Sequence, residues 1–223
     1  MNKERLIFAP TTKQYTRASL TRASLSPDPL LQFHKWYSEA VAFPEPIPES
    51  CTFATAQLPS GRVSARVVLF KELDSRGFIV YSNWATSKKN RDVRSNPHAA
   101  MTFFWKGLER QVRVEGRTEF ITHEESLTYF RTRPRESRIG AWASPQSQAV
   151  GDGSREALLA LVSEQTAKFD GVEDIPLPEG WGGLRIVPDE IEFWQGGEFR
   201  IHDRFSYTRE NEGAQWEIRR LAP

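Results

Sequence analysis

The sequence has little of several residue types that often define a class of protein. It contains one cysteine, Cys51, so a framework of disulfide bonds is excluded. Its four histidines are scattered without the spacing of a metal-binding motif. The net charge is +1, which provides no overall field to hold nucleic acid or an anionic membrane. No apolar run approaches membrane-spanning length. These absences predict a cytoplasmic protein that binds neither nucleic acid nor membranes.

The remaining composition is that of a globular protein with a large core. Hydrophobic residues make up 39% of the chain and aromatic residues 12%, including seven tryptophans and fourteen phenylalanines. That much apolar side-chain area can fill a core or a subunit interface. A chain of 223 residues suits one domain. We expect that domain at residues 27–223, because no linker divides this part of the sequence.

Residues 1–26 hold few apolar side chains and predict a flexible N-terminal arm. They include a perfect tandem repeat, Thr-Arg-Ala-Ser-Leu at 16–20 and again at 21–25, whose period is too short for a solenoid. The arginine and serine content also resembles a mitochondrial transit peptide. Because the stretch lacks a clear apolar helical face, mitochondrial targeting is the less favoured alternative to the cytoplasm.

The hydrophobic pattern predicts a mainly β protein with peripheral helices. Many short strands joined by Gly, Pro and Asp turns favour an antiparallel barrel over a parallel sheet. The predicted strands are 51–58, 63–71, 78–82, 99–105, 111–120, 184–187, 191–195, 200–207 and 216–221. One amphipathic helix is predicted from Leu30 to a point before Pro44. Further helices are predicted at about 87–95, 123–133, 135–141 and 154–169.

A glycine pair near the C-terminus predicts a hairpin with a cationic strand. Gly196 and Gly197 lie between two aromatic-rich runs, which is typical of a tight turn. On the following strand, Arg200, His202 and Arg204 would share one face because side chains alternate. Those groups repel one another unless an anion lies among them. A solvated edge strand is the alternative, but the aromatic residues on either side favour a ligand-binding wall.

Two lysines open the helix predicted at 87–95. Thr86 or Ser87 can cap that helix and leave its first N–H groups available to an anion. Lys88 and Lys89 then lie in the first turn, where positive charge opposes the helix dipole unless a phosphate binds there. Solvated lysines at a frayed helix end explain the segment about equally well.

Two further places carry cations that could meet a ligand. Arg66 lies inside an otherwise apolar strand that ends at Lys71, and it needs a partner if it points inward. Tyr129 and Arg133 are four residues apart on one helix face, and Ser137 begins the next turn. Arginine with Tyr and Ser hydroxyls suits a phosphate monoester. A basic helix end that complements the dipole explains Arg133 but not the whole cluster.

Together these segments resemble the pyridoxine (pyridoxamine) 5′-phosphate oxidase family, with details closest to fungal members. The most specific matches are Leu-Glu-Arg-Gln-Val at 108–112, Arg-Pro-Arg-Glu-Ser-Arg-Ile-Gly-Ala-Trp at 133–142, and Glu-Phe-Trp-Gln-Gly at 192–196 followed by Arg-Ile-His-Asp-Arg at 200–204. The similarity runs from about Tyr15 to the C-terminus. It implies an antiparallel, Greek-key, FMN-binding split β-barrel, and a homodimer that holds each FMN between its subunits.

The resemblance also implies roles for individual residues. The implied FMN contacts are Arg66, Val67, Val68, Leu69, Lys71, Tyr81, Ser82, Lys88, Lys89, Gln111, Gln146, Ser147, Trp194 and Arg204. The implied substrate contacts are Tyr15, Lys71, Tyr129, Arg133, Ser137, Arg200 and His202, of which Arg200 and His202 would be catalytic. Two positions depart from the pattern. Thr12 stands where bacterial members have an arginine, and Lys88 stands where an arginine is common.

The implied activity is oxidation of pyridoxine or pyridoxamine 5′-phosphate to pyridoxal 5′-phosphate. The substrate's C4′ carbon would give a hydride to FMN, and dioxygen would be reduced to hydrogen peroxide. His202 is one candidate to accept the substrate's proton. One alternative is a split-barrel reductase that uses a nicotinamide donor, although the chain has no dinucleotide fingerprint. The other is a non-catalytic binder of pyridoxal phosphate, which the pair Arg200 and His202 disfavours.

Overall fold

An antiparallel barrel of six strands forms the centre of the molecule. The computed structural model describes residues 14–223. Its strands are β1 (Ser50–Gln57), β2 (Arg62–Leu73), β3 (Phe78–Asn83), β4 (His98–Trp105), β5 (Arg110–Phe120), β6 (Trp181–Gln195), β7 (Asp203–Thr208) and β8 (Glu217–Leu221). The order is β3-β2-β1-β4-β5-β6, and β6 pairs with β3 to close the barrel, while β7 and β8 extend the sheet. Because β3-β2-β1-β4 is a Greek key, the predicted fold class is confirmed.

Helices surround the barrel at the predicted places. They are α1 (Pro29–Ala42), α2 (Lys88–Ser95), α3 (His123–Thr132), α4 (Arg135–Ala143) and α5 (Arg155–Lys168). Asp28 caps α1 by accepting a hydrogen bond from the Leu30 N–H at 2.8 Å. Thr122 and Glu125 form a capping box at the start of α3. Within residues 14–223, no helix has both the length and the apolar character to cross a membrane.

Strand β6 replaces two shorter strands that the sequence predicts. The expected strands 184–187 and 191–195 are continuous in the structure. Pro188 lies opposite Gly116, where the register between β5 and β6 shifts. A proline is tolerated at such an irregularity because the ladder does not need its missing N–H there.

The main core lies between α1 and the barrel. Phe33 and Trp36 on α1 are 1% and 2% exposed. The Phe33 ring centroid is 4.8 Å from that of Phe78 and 4.9 Å from that of Phe103. Cys51 belongs to the same cluster, is 2% exposed, and has its pKa raised to about 12 by burial. Each large apolar side chain buried here stabilises the fold by roughly 1.5–3 kcal/mol.

Part of the predicted N-terminal arm packs against the barrel. Residues 1–13, which include Thr12, lie outside the described residues. Leu20 and Leu25, the last residue of each repeated pentad, are 5% and 8% exposed and join the core cluster. The arm predicted to be flexible as far as residue 26 therefore has two residues in the core, and its flexibility stays a prediction. The apolar residue of each pentad anchors this segment to the barrel.

Candidate active site

A cavity of about 530 Å³ lies where β2 and β3 face the junction between α3 and α4. Its wall combines cationic, aromatic and hydroxyl side chains. The lining residues are Arg66, Val67, Val68, Leu69, Lys71, Tyr81, Ser82, Lys89, Tyr129, Thr132, Arg133, Pro134, Ser137, Gln146 and Trp181. Most of the predicted FMN contacts and most of the predicted substrate contacts therefore share one cavity.

The start of α2 places a buried lysine at this cavity. Ser87 caps the helix with its hydroxyl, and Lys89 in the first turn is 7% exposed. The Lys89 ammonium donates to Oε1 of Gln146, which also accepts from the Ser82 hydroxyl at 3.0 Å. Burial, with the nearby charge of Arg66, lowers the pKa of Lys89 to about 8. An ammonium destabilised in this way gains from a bound anion.

Asp92 holds the neighbouring cations. This carboxylate is 1% exposed and accepts a hydrogen bond from the Thr55 hydroxyl at 2.6 Å. It lies 3.2 Å from Nζ of Lys88 and 3.7 Å from Nη2 of Arg66. The partner that the sequence required for Arg66 is therefore Asp92. Lys88 pairs with the same carboxylate. Lys89 is the lysine of the pair that lines the cavity.

Three aromatic rings line the middle of the cavity. Tyr81 and Tyr129 stack with centroids 3.8 Å apart and an angle of 17° between their planes. Trp181 lies almost parallel to Tyr81, with centroids 5.6 Å apart. Sequence reasoning missed Trp181 as a site residue, although its Trp-Gly-Gly setting at the start of a strand signals a close approach of main chains. Flat, parallel aromatic rings of this kind suit a planar ligand.

Arg133 in the cavity wall has the features of an anion-binding residue. It caps α3, and its guanidinium carbon lies 4.9 Å from the centre of the Trp181 ring. Its Nη1 atom is buried and has no hydrogen-bond partner among residues 14–223. Burial lowers the pKa of Arg133, and Tyr129 opposes that shift. A buried donor without an acceptor costs about 1–3 kcal/mol, so an anionic ligand would be stabilised here.

A second group of predicted residues lies outside the cavity, around the loop between β6 and β7 and the end of β6. The rings of Trp194 and His202 are 4.7 Å apart. Tyr15 lies edge-on to both, at 5.6 Å from Trp194 and 5.9 Å from His202. Nδ1 of His202 accepts a hydrogen bond from the Gly197 N–H at 3.1 Å. The neutral imidazole therefore carries its proton on Nε2 and presents a donor to a ligand.

The predicted cationic face of Arg200, His202 and Arg204 is not formed. A 3₁₀ turn at Glu198–Arg200 interrupts the chain, with a φ of 64° at Arg200, so β7 begins only after His202. Alternation of side chains holds within a strand and is lost in such a turn. Arg200 is exposed, whereas Arg204 forms an ion pair at 2.8 Å with the buried carboxylate of Glu192.

The predicted site residues and the residues that line the cavity do not coincide completely. The predicted residues that do not line the cavity are Tyr15, Lys88, Gln111, Ser147, Trp194, Arg200, His202 and Arg204. Two of these, Lys88 and Ser147, are the chain neighbours of the lining residues Lys89 and Gln146. They are also bonded to each other, because the Lys88 N–H donates to the Ser147 hydroxyl at 3.1 Å. Thr132, Pro134 and Trp181 line the cavity without having been predicted.

One outer face of the sheet connects the cavity wall with the second group. Phe104 pairs with Gln111, Gln111 with Trp194, and Trp194 with Arg204 in the strand register, so these side chains share one face. The register through β1 places Val67 on the same face. Val67 and Phe104 are 69% and 49% exposed. Exposed apolar side chains on a continuous sheet face are typical of a subunit contact.

Comparison with known proteins agrees with this geometry. Residues 38–166 match the family model described as pyridoxamine 5′-phosphate oxidase. Residues 181–223 match the model described as the pyridoxine 5′-phosphate oxidase C-terminal dimerisation region. The chain belongs to the pyridoxamine 5′-phosphate oxidase family. The resemblance inferred from the motifs is thus confirmed.

Individual relatives cover almost the whole chain. The pyridoxamine 5′-phosphate oxidase of Saccharomyces cerevisiae is 56% identical over 98% of this chain and 95% of its own length. The probable pyridoxamine 5′-phosphate oxidase of Schizosaccharomyces pombe is 55% identical over 99% and 96%. The crystal structure of PhzG from Burkholderia lata, in complex with tetrahydrophenazine-1-carboxylic acid, superposes with a TM-score of 0.82 at 29% identity, covering 90% of this chain and 95% of that one.

Membership of the pyridoxamine 5′-phosphate oxidase family has three consequences. The chain is a flavoprotein oxidoreductase of vitamin B6 metabolism. FMN is its cofactor. It carries the family's dimerisation region at 181–223, so its functional unit is a homodimer. The cofactor and dimer predictions are therefore confirmed, while the roles of individual residues stay predictions.

Proposed function

We propose that the cavity, completed by the second subunit, is the site at which this enzyme oxidises pyridoxine and pyridoxamine 5′-phosphate to pyridoxal 5′-phosphate. The observation that carries the proposal is that one cavity holds two separate cations, Lys89 and Arg133, with the rings of Tyr81 and Tyr129 in the same wall. Lys89 would mark one end of the site and Arg133 the other. Two phosphorylated, planar ligands that meet face to face need such an arrangement.

The end at Lys89 fits the phosphate of FMN. The buried ammonium, the cap of α2 and the guanidinium of Arg66 supply positive charge and donors. Ser82 and Gln146 form a polar wall beside them. FMN held by these residues would supply the hydride acceptor for C4′ of the substrate and the redox chemistry that reduces dioxygen to hydrogen peroxide.

The end at Arg133 fits the phosphate of the substrate. Nη1 of Arg133 has no hydrogen-bond partner among residues 14–223, and Tyr129 and Ser137, which carry hydroxyls, line the same cavity. Lys71 adds a further charge and is 3.8 Å from the carboxylate of Glu49. These groups bind and orient the substrate, and the surrounding aromatic rings exclude water from it.

The partner subunit supplies the second group of residues. In one chain Trp194, Arg200 and His202 lie outside the cavity, yet the outer sheet face links the two regions. A two-fold axis through that face would bring this group of one subunit to the cavity of the other. His202 would then donate from Nε2 to the substrate's heteroatom and orient it. Its Nδ1 is already occupied by the Gly197 N–H, which argues against the earlier idea that neutral His202 accepts the proton.

A direct assay tests the activity at this site. The purified flavoprotein is incubated with pyridoxine 5′-phosphate in air, and aldehyde and peroxide are measured. Equal amounts of both support the proposal. Turnover that requires a nicotinamide donor would identify a reductase, and binding of pyridoxal phosphate without peroxide would identify a non-catalytic binder.

Mixed dimers test whether the site spans two subunits. Arg133→Ala and His202→Asn each lower the activity through a different half of the proposed site. In a mixed dimer one site carries both changes and the other carries neither, so random mixing should restore about a quarter of the activity, since about half of the dimers are mixed. If each site lay within one subunit, every site would carry one change and mixing would restore nothing.

The compartment and the domain division also remain proposals. We propose the cytoplasm, with mitochondria as the alternative that the arginine- and serine-rich N-terminus suggests. The core cluster that joins α1, the barrel and β7 supports a single domain over 27–223. Fractionation of cells that express the tagged full chain tests the first proposal, and a single cooperative unfolding transition tests the second.

A further inference from the structure

A segment that precedes the barrel lies across the loop that carries His202. This strap, residues 14–20, is held at three points by side chains or main chain of the body. Oε1 of Gln14 accepts from the Phe199 N–H at 2.9 Å. Oε2 of Glu109 accepts from the Arg17 N–H at 3.0 Å. The third point is Leu20, where both the main-chain N–H and the main-chain carbonyl are hydrogen-bonded to the body.

Asp203 and Arg220 form a clamp around Leu20. Oδ2 of Asp203 accepts from the Leu20 N–H at 2.8 Å, and Nη2 of Arg220 donates to the Leu20 carbonyl at 3.1 Å. The two side chains are themselves joined, with Nη1 of Arg220 at 2.6 Å from Oδ1 of Asp203. The three groups therefore close a ring of hydrogen bonds. The Leu20 side chain is 5% exposed, so the clamp fixes a residue that is also anchored in the core.

The charge of Asp203 is secured by the same contacts. Burial alone would raise the pKa of this carboxyl, but the Leu20 N–H and the Arg220 guanidinium together hold its pKa below the ordinary value. The carboxylate is thus ionised at neutral pH. Both interactions are charge-assisted, which makes them stronger than bonds between neutral groups.

The clamp is adjacent to the residues that it would position. Asp203 directly follows His202 in the chain, and the strap brings Tyr15 against His202 and Trp194. A side chain at Gly196 would collide with Tyr15, because a Cβ there would be 2.7 Å from the Tyr15 Cβ. Tyr15 therefore packs directly on the main chain of the loop. The His202 ring thus packs against a strap whose Leu20 is bonded to Asp203 and Arg220.

We propose that Asp203 and Arg220 are positioning residues, which fix the strap and through it the orientation of His202. This proposal rests on the role proposed above for His202. Neither residue needs to touch the substrate, since each acts through Leu20 and the strap. Asp203 links the strap to the loop, and Arg220 links both to strand β8.

The test compares Asp203→Asn and Arg220→Met with the unaltered holoenzyme. Arg219→Met is the matched control, because Arg219 is the neighbouring residue on β8 and pairs with Glu217 at 2.8 Å. The first readout is the rate at which trypsin cleaves the native protein after Arg17 and Arg22, both of which are exposed. Release of the strap should accelerate this cleavage about tenfold in the two clamp variants, while the control should be cleaved at the unaltered rate.

The second readout is steady-state oxidation of pyridoxine 5′-phosphate. Each clamp variant should lose about tenfold in kcat/KM and keep its FMN. In a His202→Asn background, Asp203→Asn should cause no further loss of kcat/KM, because coupled residues are not additive. A residue that merely stabilised the fold would lower the activity equally in both backgrounds.

The outcomes separate the two proposals. Unchanged trypsin cleavage in both clamp variants overturns the clamp, as does an additive effect of Asp203→Asn in the His202→Asn background. If the unaltered protein does not oxidise pyridoxine 5′-phosphate, the proposed function falls. In that case the trypsin rates still decide whether Asp203 and Arg220 hold the strap. Thermal unfolding of each variant shows whether the substitution prevents folding. If one clamp variant does not fold, the other is used for the test.

Discussion

Lys89 should make FMN binding depend on pH above neutrality. In the unliganded protein, burial and the charge of Arg66 lower the pKa of Lys89 to about 8, so the side chain loses its proton as the pH rises through that value. A bound phosphate dianion stabilises the ammonium and raises its pKa again. Below about pH 8 the cation is already present. Above that pH, each FMN that binds must be accompanied by the uptake of one proton.

The size of the effect follows from this single proton. The dissociation constant for FMN should rise about thirtyfold from about pH 7 to about pH 9.5, because each pH unit above the pKa approaches a factor of ten. The constant is measured by titrating apoprotein with FMN and following the quenching of flavin fluorescence. Riboflavin, which has no phosphate, is the matched ligand. Lys89→Arg is the matched variant, since its guanidinium stays charged over this range and the slope should disappear.

Two results would refute this reasoning. If FMN and riboflavin showed the same dependence on pH, the proton uptake would not respond to the phosphate. If Lys89→Arg kept the slope of the unaltered protein, the proton would be taken up by another group. Either result would remove Lys89 from the phosphate end of the cavity.

Further outcomes are expected for the substrate end, the loop and the assembly. Arg133→Ala should lose about 2–4 kcal/mol of substrate binding, seen as a raised KM at normal FMN content; loss of flavin at an unchanged KM would contradict it. Arg200→Met and His202→Asn should each lower kcat/KM by about tenfold or more while FMN stays bound. Near-normal efficiency in both would show that the loop is only structural. Light scattering should find a dimer loaded with FMN, and a flavin-loaded monomer would count against the shared site.

The barrel could be predicted because its signal is local. Strand β2 shows this well, since the alternation around Val67 and the turns at its ends need no information from elsewhere in the chain. The same strand also contains a residue whose partner lies far away in the sequence. The sequence indicates that Arg66 needs a partner, but the partner is Asp92 on α2, and no local pattern identifies it.

Contacts with residues distant in sequence give similar residues of the site different environments. Lys88 and Lys89 are equivalent as a sequence pattern, and they differ in the structure because Asp92 binds one and Gln146 the other. The turn at Arg200 was predicted as strand, although the Phe199 N–H beside it is bonded to a residue 185 positions earlier in the chain. Tertiary contacts of this kind override strand propensity.

Hydrogen peroxide is a product of every catalytic cycle of this enzyme, and a cysteine thiolate is the protein group that peroxide oxidises most readily. Cys51 lies beside the cavity proposed as the active site, because its Sγ is 3.7 Å from the carbonyl of Val68, a residue of the cavity wall. With its pKa raised to about 12, only about one molecule in 10⁵ carries the thiolate near neutral pH. The burial that packs Cys51 into the core thus also keeps its thiol in the form that peroxide oxidises slowly.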